Sequence, residues 1–215
     1  MTRYTFSFIL LLVLLACNSV TTPKYRTAKQ KYTAAELYAQ PTYNDDGTIN
    51  AVIEIPAGTS TKIEYDTETA SFRPDQLDDH DRVIDFLPYV ANYGFVPGTY
   101  MDPARGGDGD ALDILVLGES QPTGTLLRVR PIALLNLTDA GEIDTKLVAM
   151  PADSSLQTMR IDSFKDLLIN YDGAKRIIET WFVSYKGLGK VTLNGWQDGQ
   201  AAEQEVRKWK VEKAE

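Results

Sequence analysis

Asp108, Asp110 and Asp113 fall within six residues, in the run Asp-Gly-Asp-Ala-Leu-Asp-Ile-Leu-Val-Leu that begins at 108. Carboxylates this close repel one another and raise each other's pKa unless positive charge sits among them, and a hard divalent cation with oxygen ligands is the usual answer. Magnesium is the expected ion, and an apolar strand over Ile114 to Leu117 would hold the ligands on a stiff base. Two other readings stay open on these residues alone. Asp and Gly are turn formers, so an acidic turn leading into a strand explains the segment with no ligand at all. A calcium loop of the EF-hand type wants acidic groups at positions 1, 3 and 5. Position 5 is Leu112 here, and the third Asp arrives one residue late.

The elements that must position such a cluster are mostly strands. Ile49 to Ile55 reads as a strand closed by Pro56, and Thr61 to Tyr65 alternates so that Lys62 and Glu64 share the face opposite Ile63. Thr125 to Leu137 is a long apolar stretch interrupted by Arg128, Arg130 and Pro131, as expected of a strand bent or bulged near the proline. Ile143 to Met150 reads as its neighbour. Helices come late: Ala174, Ile177, Ile178, Trp181, Phe182 and Tyr185 form one stripe at helical spacing that ends at Gly187 and Gly189. Asp198 is placed to cap a last helix running through Ala202 and Val206 toward Trp209, and Ser163 to Asn170 reads as a shorter one. Many strands followed by a few helices predict an α+β, mainly β fold, a small barrel with helices packed on it. There is no internal repeat, P-loop or dinucleotide fingerprint.

The chain has 215 residues and a formal net charge of -8, which suits a globular domain and gives nucleic acid no basic footprint. Its first residues read as a targeting signal. Arg3 supplies a positive start, Phe6 to Leu15 is apolar apart from Ser7, and the run falls short of the roughly 20 residues that span a bilayer. Leu14-Leu15-Ala16-Cys17 then resembles the lipobox of bacterial lipoproteins, which makes Cys17, the single cysteine, the expected lipidation site. The expected organisation is a signal with its lipobox over 1–17, a polar tether over 18–46 and one domain over 47–215. Such a chain would be exported and lipid-anchored to the bacterial cell envelope, facing the periplasm. Asn18 is not the Asp that retains lipoproteins at the inner membrane.

Ionisable and phenolic residues at strand or turn positions, taken in order, are Glu54, Lys62, Glu64, Arg82, Tyr89, Tyr93, Asp108, Asp110, Asp113, Asp139, Asp144, Lys146, Tyr185 and Lys186. Through Val52-Ile53-Glu54-Ile55-Pro56, Lys62-Ile63-Glu64-Tyr65, Asn92-Tyr93-Gly94, the triple-Asp segment, Asp139 to Pro151 and Tyr185-Lys186, the chain resembles the soluble family I inorganic pyrophosphatases. The resemblance covers about residues 50 to 200. It implies an OB-like five-stranded β-barrel with peripheral α-helices, and hydrolysis of pyrophosphate to two orthophosphates by a metal-activated water with several magnesium ions per site. It further implies Asp108, Asp113 and Asp144 as ligands of the tightest metal, Asp139 and Glu54 as groups holding further metal, and Asp110 as the residue that orients or deprotonates the water. Lys62, Arg82, Lys146, Tyr185 and Lys186 become the clamp on the phosphates, with Tyr93, Glu64 and Tyr89 in supporting contact. Bacterial members are often hexamers, so a homo-oligomer is implied as well.

Two departures stand out. Ala111 replaces the usual proline in the ligand loop, and the Arg82 to Tyr89 interval is one residue short. His80, the single histidine, has no partner pattern and reads as a surface residue. Competing functions are an exported hydrolase of another diphosphate or polyphosphate, and a calcium-holding OB-like binding protein. Lys62, Lys146 and Lys186 speak against the last, because a calcium site needs no phosphate clamp.

Overall fold

The computed structural model describes residues 31–211. The signal, Cys17 and the first part of the expected tether lie outside them. In chain order the elements are α1 (Ala34–Tyr38), β1 (Ile49–Ile55), β2 (Ile63–Asp66), β3 (Ser71–Pro74), β4 (Gln76–Leu77), β5 (His80–Asp81), β6 (Asn92–Phe95), β7 (Asp113–Val116), β8 (Leu126–Asp139), β9 (Glu142–Ile143), β10 (Lys146–Pro151), α2 (Phe164–Asn170), α3 (Asp172–Ser184), β11 (Val191–Asp198) and α4 (Gly199–Trp209). Strands β1, β6, β7, β10 and β8 follow one another in a sheet, and β8 pairs back onto β1 to close the ring. The β7–β10 pair is parallel, and the other pairs of the ring are antiparallel. This is the expected OB-like barrel with peripheral helices.

One irregularity lets a single strand serve two cores. Leu127 and Val129 of β8 pack with Ile49, Ala51, Ile114 and the α4 residues Val206 and Trp209, whereas Ala133, Leu135 and Leu137 pack with Leu115, Val148 and the α3 residues Trp181 and Phe182. Residues of one parity therefore change face along the strand. The pairing register of β8 against β10 shifts between Val148 and Ala149, opposite Ala133 and Pro131, and a bulge of this kind exchanges the faces of everything beyond it. Pro131, with no N–H to offer a ladder, sits at that break.

Gly94 is dictated by approach rather than by a turn. A Cβ there would lie 1.9 Å from the Val52 carbonyl oxygen of the neighbouring strand, so only glycine lets β6 reach β1. Beside it the wholly buried Asn92 donates from Nδ2 to the carbonyls of Val116 (3.2 Å) and Glu119 (3.0 Å). Its Oδ1 accepts from the N–H groups of Ala57 (3.2 Å) and Gln121 (2.7 Å). That side chain ties the ends of β1 and β7 together.

Three expectations change. The tether read through residue 46 contains α1, capped by Thr33 and anchored by Leu37, which is 1% exposed; an apolar side chain with a place in the core orders the segment around it. The stretch Ile143 to Met150 divides into β9 and β10, with Asp144 outside both ladders. In α3 the stripe buries Ile178, Trp181 and Phe182, but Ile177 is exposed. The predicted cap agrees with the structure, since Asp198 accepts from the Ala201 N–H at 3.1 Å; Ser163, read as the start of a short helix, stands as its cap and accepts from the Asp166 N–H at 3.3 Å. His80 is exposed in β5.

Candidate active site

The period of two along neighbouring strands brings the charged residues to one place. Asp113 shares a face with Leu115 on β7, and Lys146 shares one with Val148 on β10, so both project from the same side of the barrel wall. Tyr93 on β6 is paired in register with Leu115. Glu54 stands where the β1–β6 register shifts between Ile53 and Ile55, and its carboxylate accepts from the Tyr65 N–H at 2.7 Å. Asp139 and Asp144 flank the short β8–β9 hairpin, whose Ala140 and Gly141 both have positive φ, 50° and 95°.

The ligand loop is held by main-chain bonds on both sides of Asp110. The Gly109 N–H donates to the Met101 carbonyl at 2.8 Å, and the Met101 N–H donates to the Asp110 carbonyl at 2.7 Å. The Asp110 N–H in turn donates to Asp108 Oδ1 at 3.0 Å, and Leu112 N–H to Thr99 Oγ1 at 2.9 Å. Gly107 permits the close approach, since a Cβ there would strike the Met101 carbonyl at 2.3 Å.

These residues surround one cleft of about 260 Å³. Glu54, Glu64, Asp108, Asp110, Asp113, Asp139 and Asp144 line it together with Lys62, Lys146 and Lys186 and the phenols of Tyr89, Tyr93 and Tyr185. All but one of the residues carried over from the resemblance to the mature domain thus converge. Arg82 does not line the cleft: it pairs with Asp75 at 2.9 Å and faces an adjoining depression that shares Asp139, Tyr185 and Lys186. Asp75 also reaches the Lys62 ammonium at 3.5 Å, and Lys62 pairs with Glu64 as their shared face predicted.

Carboxylates outnumber ammonium groups here, and the electrostatics show it. Burial pushes Glu54 up to about 8, with Asp113 and Glu64 adding to the rise and the Tyr65 N–H opposing it. Burial raises Asp110, and repulsion from Asp108 and Asp113 raises it further; Asp108 is raised by burial and by Asp113. Tyr89 and Tyr93 are pushed up chiefly by burial, so both phenols keep their protons. Lys146, 3% exposed, would be depressed by burial alone, but its bonds to Asp113 (2.6 Å) and Asp144 (2.7 Å) outweigh that and hold it charged. Its ammonium also donates to Tyr93 Oη at 3.1 Å. Lys186 pairs with Asp139, and Tyr185 lies flat on Trp181 at 4.6 Å.

The donor set suits a hard cation, being all oxygen and in charge excess. Among the described residues no three of these carboxylates close on a single point, and Lys146 sits between Asp113 and Asp144. Sequence reasoning missed Tyr38, which also lines the cleft, and Asp75. A signal for the first was present in Thr33-Ala34-Ala35-Glu36, a capping box announcing a helix just before Leu37 and Tyr38.

A profile for the inorganic pyrophosphatase family matches residues 51–213. The inorganic pyrophosphatase of Neisseria meningitidis serogroup B is 37% identical over 171 residues, 76% of this chain and 87% of the relative. That of Halobacterium salinarum is 35% identical over 162 residues, 74% of this chain and 84% of the relative. The crystal structure of inorganic pyrophosphatase from Thermus thermophilus superposes with a TM-score of 0.67 at 31% identity, covering 80% of this chain and 94% of that one. These relatives place the closed OB-like barrel, with its acidic cleft rimmed by ammonium groups, among the hydrolases of phosphoric anhydrides. The chain belongs to the family I inorganic pyrophosphatases, and its reaction is the hydrolysis of pyrophosphate to two orthophosphates.

Proposed function

We propose that the cleft performs this hydrolysis with magnesium held by Asp108, Asp113 and Asp144, and with Asp139 and Glu54 holding the further ions. The observation that carries the reading is the gathering of these carboxylates with Lys62, Lys146 and Lys186 in one small cleft. Pyrophosphate is an anion and so is the cleft; magnesium, when bound, supplies the charge that reverses the sign and lowers the pKa of water. The protein's own groups do the rest. Asp110, raised by burial and by its two acidic neighbours, takes the proton of the attacking water. Lys62, Lys186 and the Tyr185 phenol donate to phosphate oxygens, where negative charge spreads in phosphoryl transfer. Lys146 has phosphate as an alternative acceptor to the two carboxylates it now bridges, and Tyr93 fixes that ammonium. Glu64 and Asp75 hold Lys62, Asp75 couples Arg82 to it, and Tyr89 packs at 5.4 Å from Tyr93. Phosphate release from pyrophosphate in competition with other diphosphates and with polyphosphate, at equal magnesium, tests the substrate. Preference for a longer or organic substrate would overturn it.

The same chain is exported and anchored through a lipid on Cys17, facing the periplasm. Arg3, the apolar run to Leu15 and the lipobox support this. Among the described residues no helix is long and apolar enough to cross a membrane. Cys17→Ser is expected to release the protein from the membrane fraction and abolish labelling by palmitate; retention of both contradicts the anchor. Homo-oligomerisation on the family pattern is checked by light scattering on the chain lacking residues 1–17.

A further inference from the structure

Helix α1 lies ahead of the family match, which begins at residue 51, yet it reaches the reaction centre. Thr33 and Glu36 cap it reciprocally: the Glu36 N–H donates to Thr33 Oγ1 at 3.2 Å, and the Thr33 N–H to Glu36 Oε2 at 2.7 Å. Leu37 then belongs to a small buried cluster with Val52, Phe95 and Ala111, the residue in the middle of the ligand loop. Tyr38 lines the cleft and lays its ring on that of Tyr65, with centroids 4.6 Å apart and planes 12° from parallel. The N–H of that same Tyr65 holds the Glu54 carboxylate at 2.7 Å. Phe95, 5.5 Å from the Tyr38 ring, is paired in register with Asp113.

We propose that α1 is a brace for the metal-binding carboxylates, with Tyr38 as a positioning residue that fixes Glu54 through Tyr65 and backs the Asp108 to Asp113 loop through the cluster around Ala111. The inference rests on the reading of those carboxylates as magnesium ligands. Tyr38 acts by its flat ring. Its hydroxyl is not required, because the stack and not a hydrogen bond carries the contact to Tyr65.

Calorimetric titration of the full chain with magnesium chloride tests this without turnover. Tyr38→Leu keeps bulk but removes the plane, and is expected to weaken magnesium binding about tenfold, the usual scale for losing a group that orients a ligand. Tyr38→Phe is expected to bind as the unaltered chain does. Thr33→Ala, which loosens α1 from its exposed end without touching the cleft, should shift affinity in the same direction by less, and it decides the matter if Tyr38→Leu does not fold. Unchanged affinity in the variants that fold, with only a lower melting temperature, overturns the brace. Equal loss in Tyr38→Phe overturns the role of the stack. Absence of magnesium binding by the unaltered chain instead overturns the ligand assignment beneath it.

Discussion

Lys146 is a buried cation between two carboxylates, and removing one partner from such a group leaves the others uncompensated. Lys146→Met is therefore expected to destabilise the magnesium-free chain by about 3 kcal/mol, read from urea unfolding in chelator, and added magnesium should recover part of it. No change in the midpoint would contradict the pairing. Glu54 makes a prediction of opposite chemistry. Its folded value of about 8 stands above its ordinary 4.5, so its contribution is fully present below about 4.5 and is lost as pH rises through about 8. Asp108 and Asp110 are raised as well and add the same sign. The melting temperature of the chelated chain should fall across that window, and Glu54→Gln should flatten the fall; a rise would refute it. That these residues would gather was legible from type and order, since carboxylates before a strand and Lys-x-Glu on one face need no tertiary knowledge, whereas the role of each rested on the family resemblance. What was not legible is where Arg82 points, because its partner Asp75 lies in a turn-rich stretch with no periodicity to place it.

Elements deliver these residues by close approach and by deliberate irregularity. Gly94→Ala is expected to cost about 3 kcal/mol or more, because the new Cβ meets backbone rather than a flexible side chain. Soluble yield and unfolding midpoint check it, and a midpoint within experimental error of the parent would show that β1 and β6 can separate. The β8 bend was readable from Pro131, and the α3 stripe from its spacing. Strand β11 was not: most of its side chains are exposed or half-buried, and the ladder skips Asn194 between Leu193 and Gly195, so the apolar alternation that betrays a strand is missing. Helix α1 escaped because a single turn and a half carries little periodic signal, and its evidence lay in the cap.

For the whole molecule, charge and closure work together. The barrel closes through β1 and β8, and the acidic groups gather on one side of its wall around a cleft that a core could not tolerate. The fold was recoverable because strands preceded helices and the motifs came in order, whereas the joining of the N-terminal segment to the cleft depends on contacts between residues far apart in sequence. The net charge of -8 adds a repulsion toward pyrophosphate that only bound cations offset, so activity should depend on magnesium far more steeply than on ionic strength. The most direct measurement is phosphate release from pyrophosphate by the full chain with magnesium and after chelation, with Asp110→Asn alongside. Turnover should vanish on chelation and fall roughly a hundredfold to ten-thousandfold in Asp110→Asn at unchanged circular dichroism. Turnover that survives chelation, or an Asp110→Asn chain as active as its parent, would contradict the assignment of this cleft.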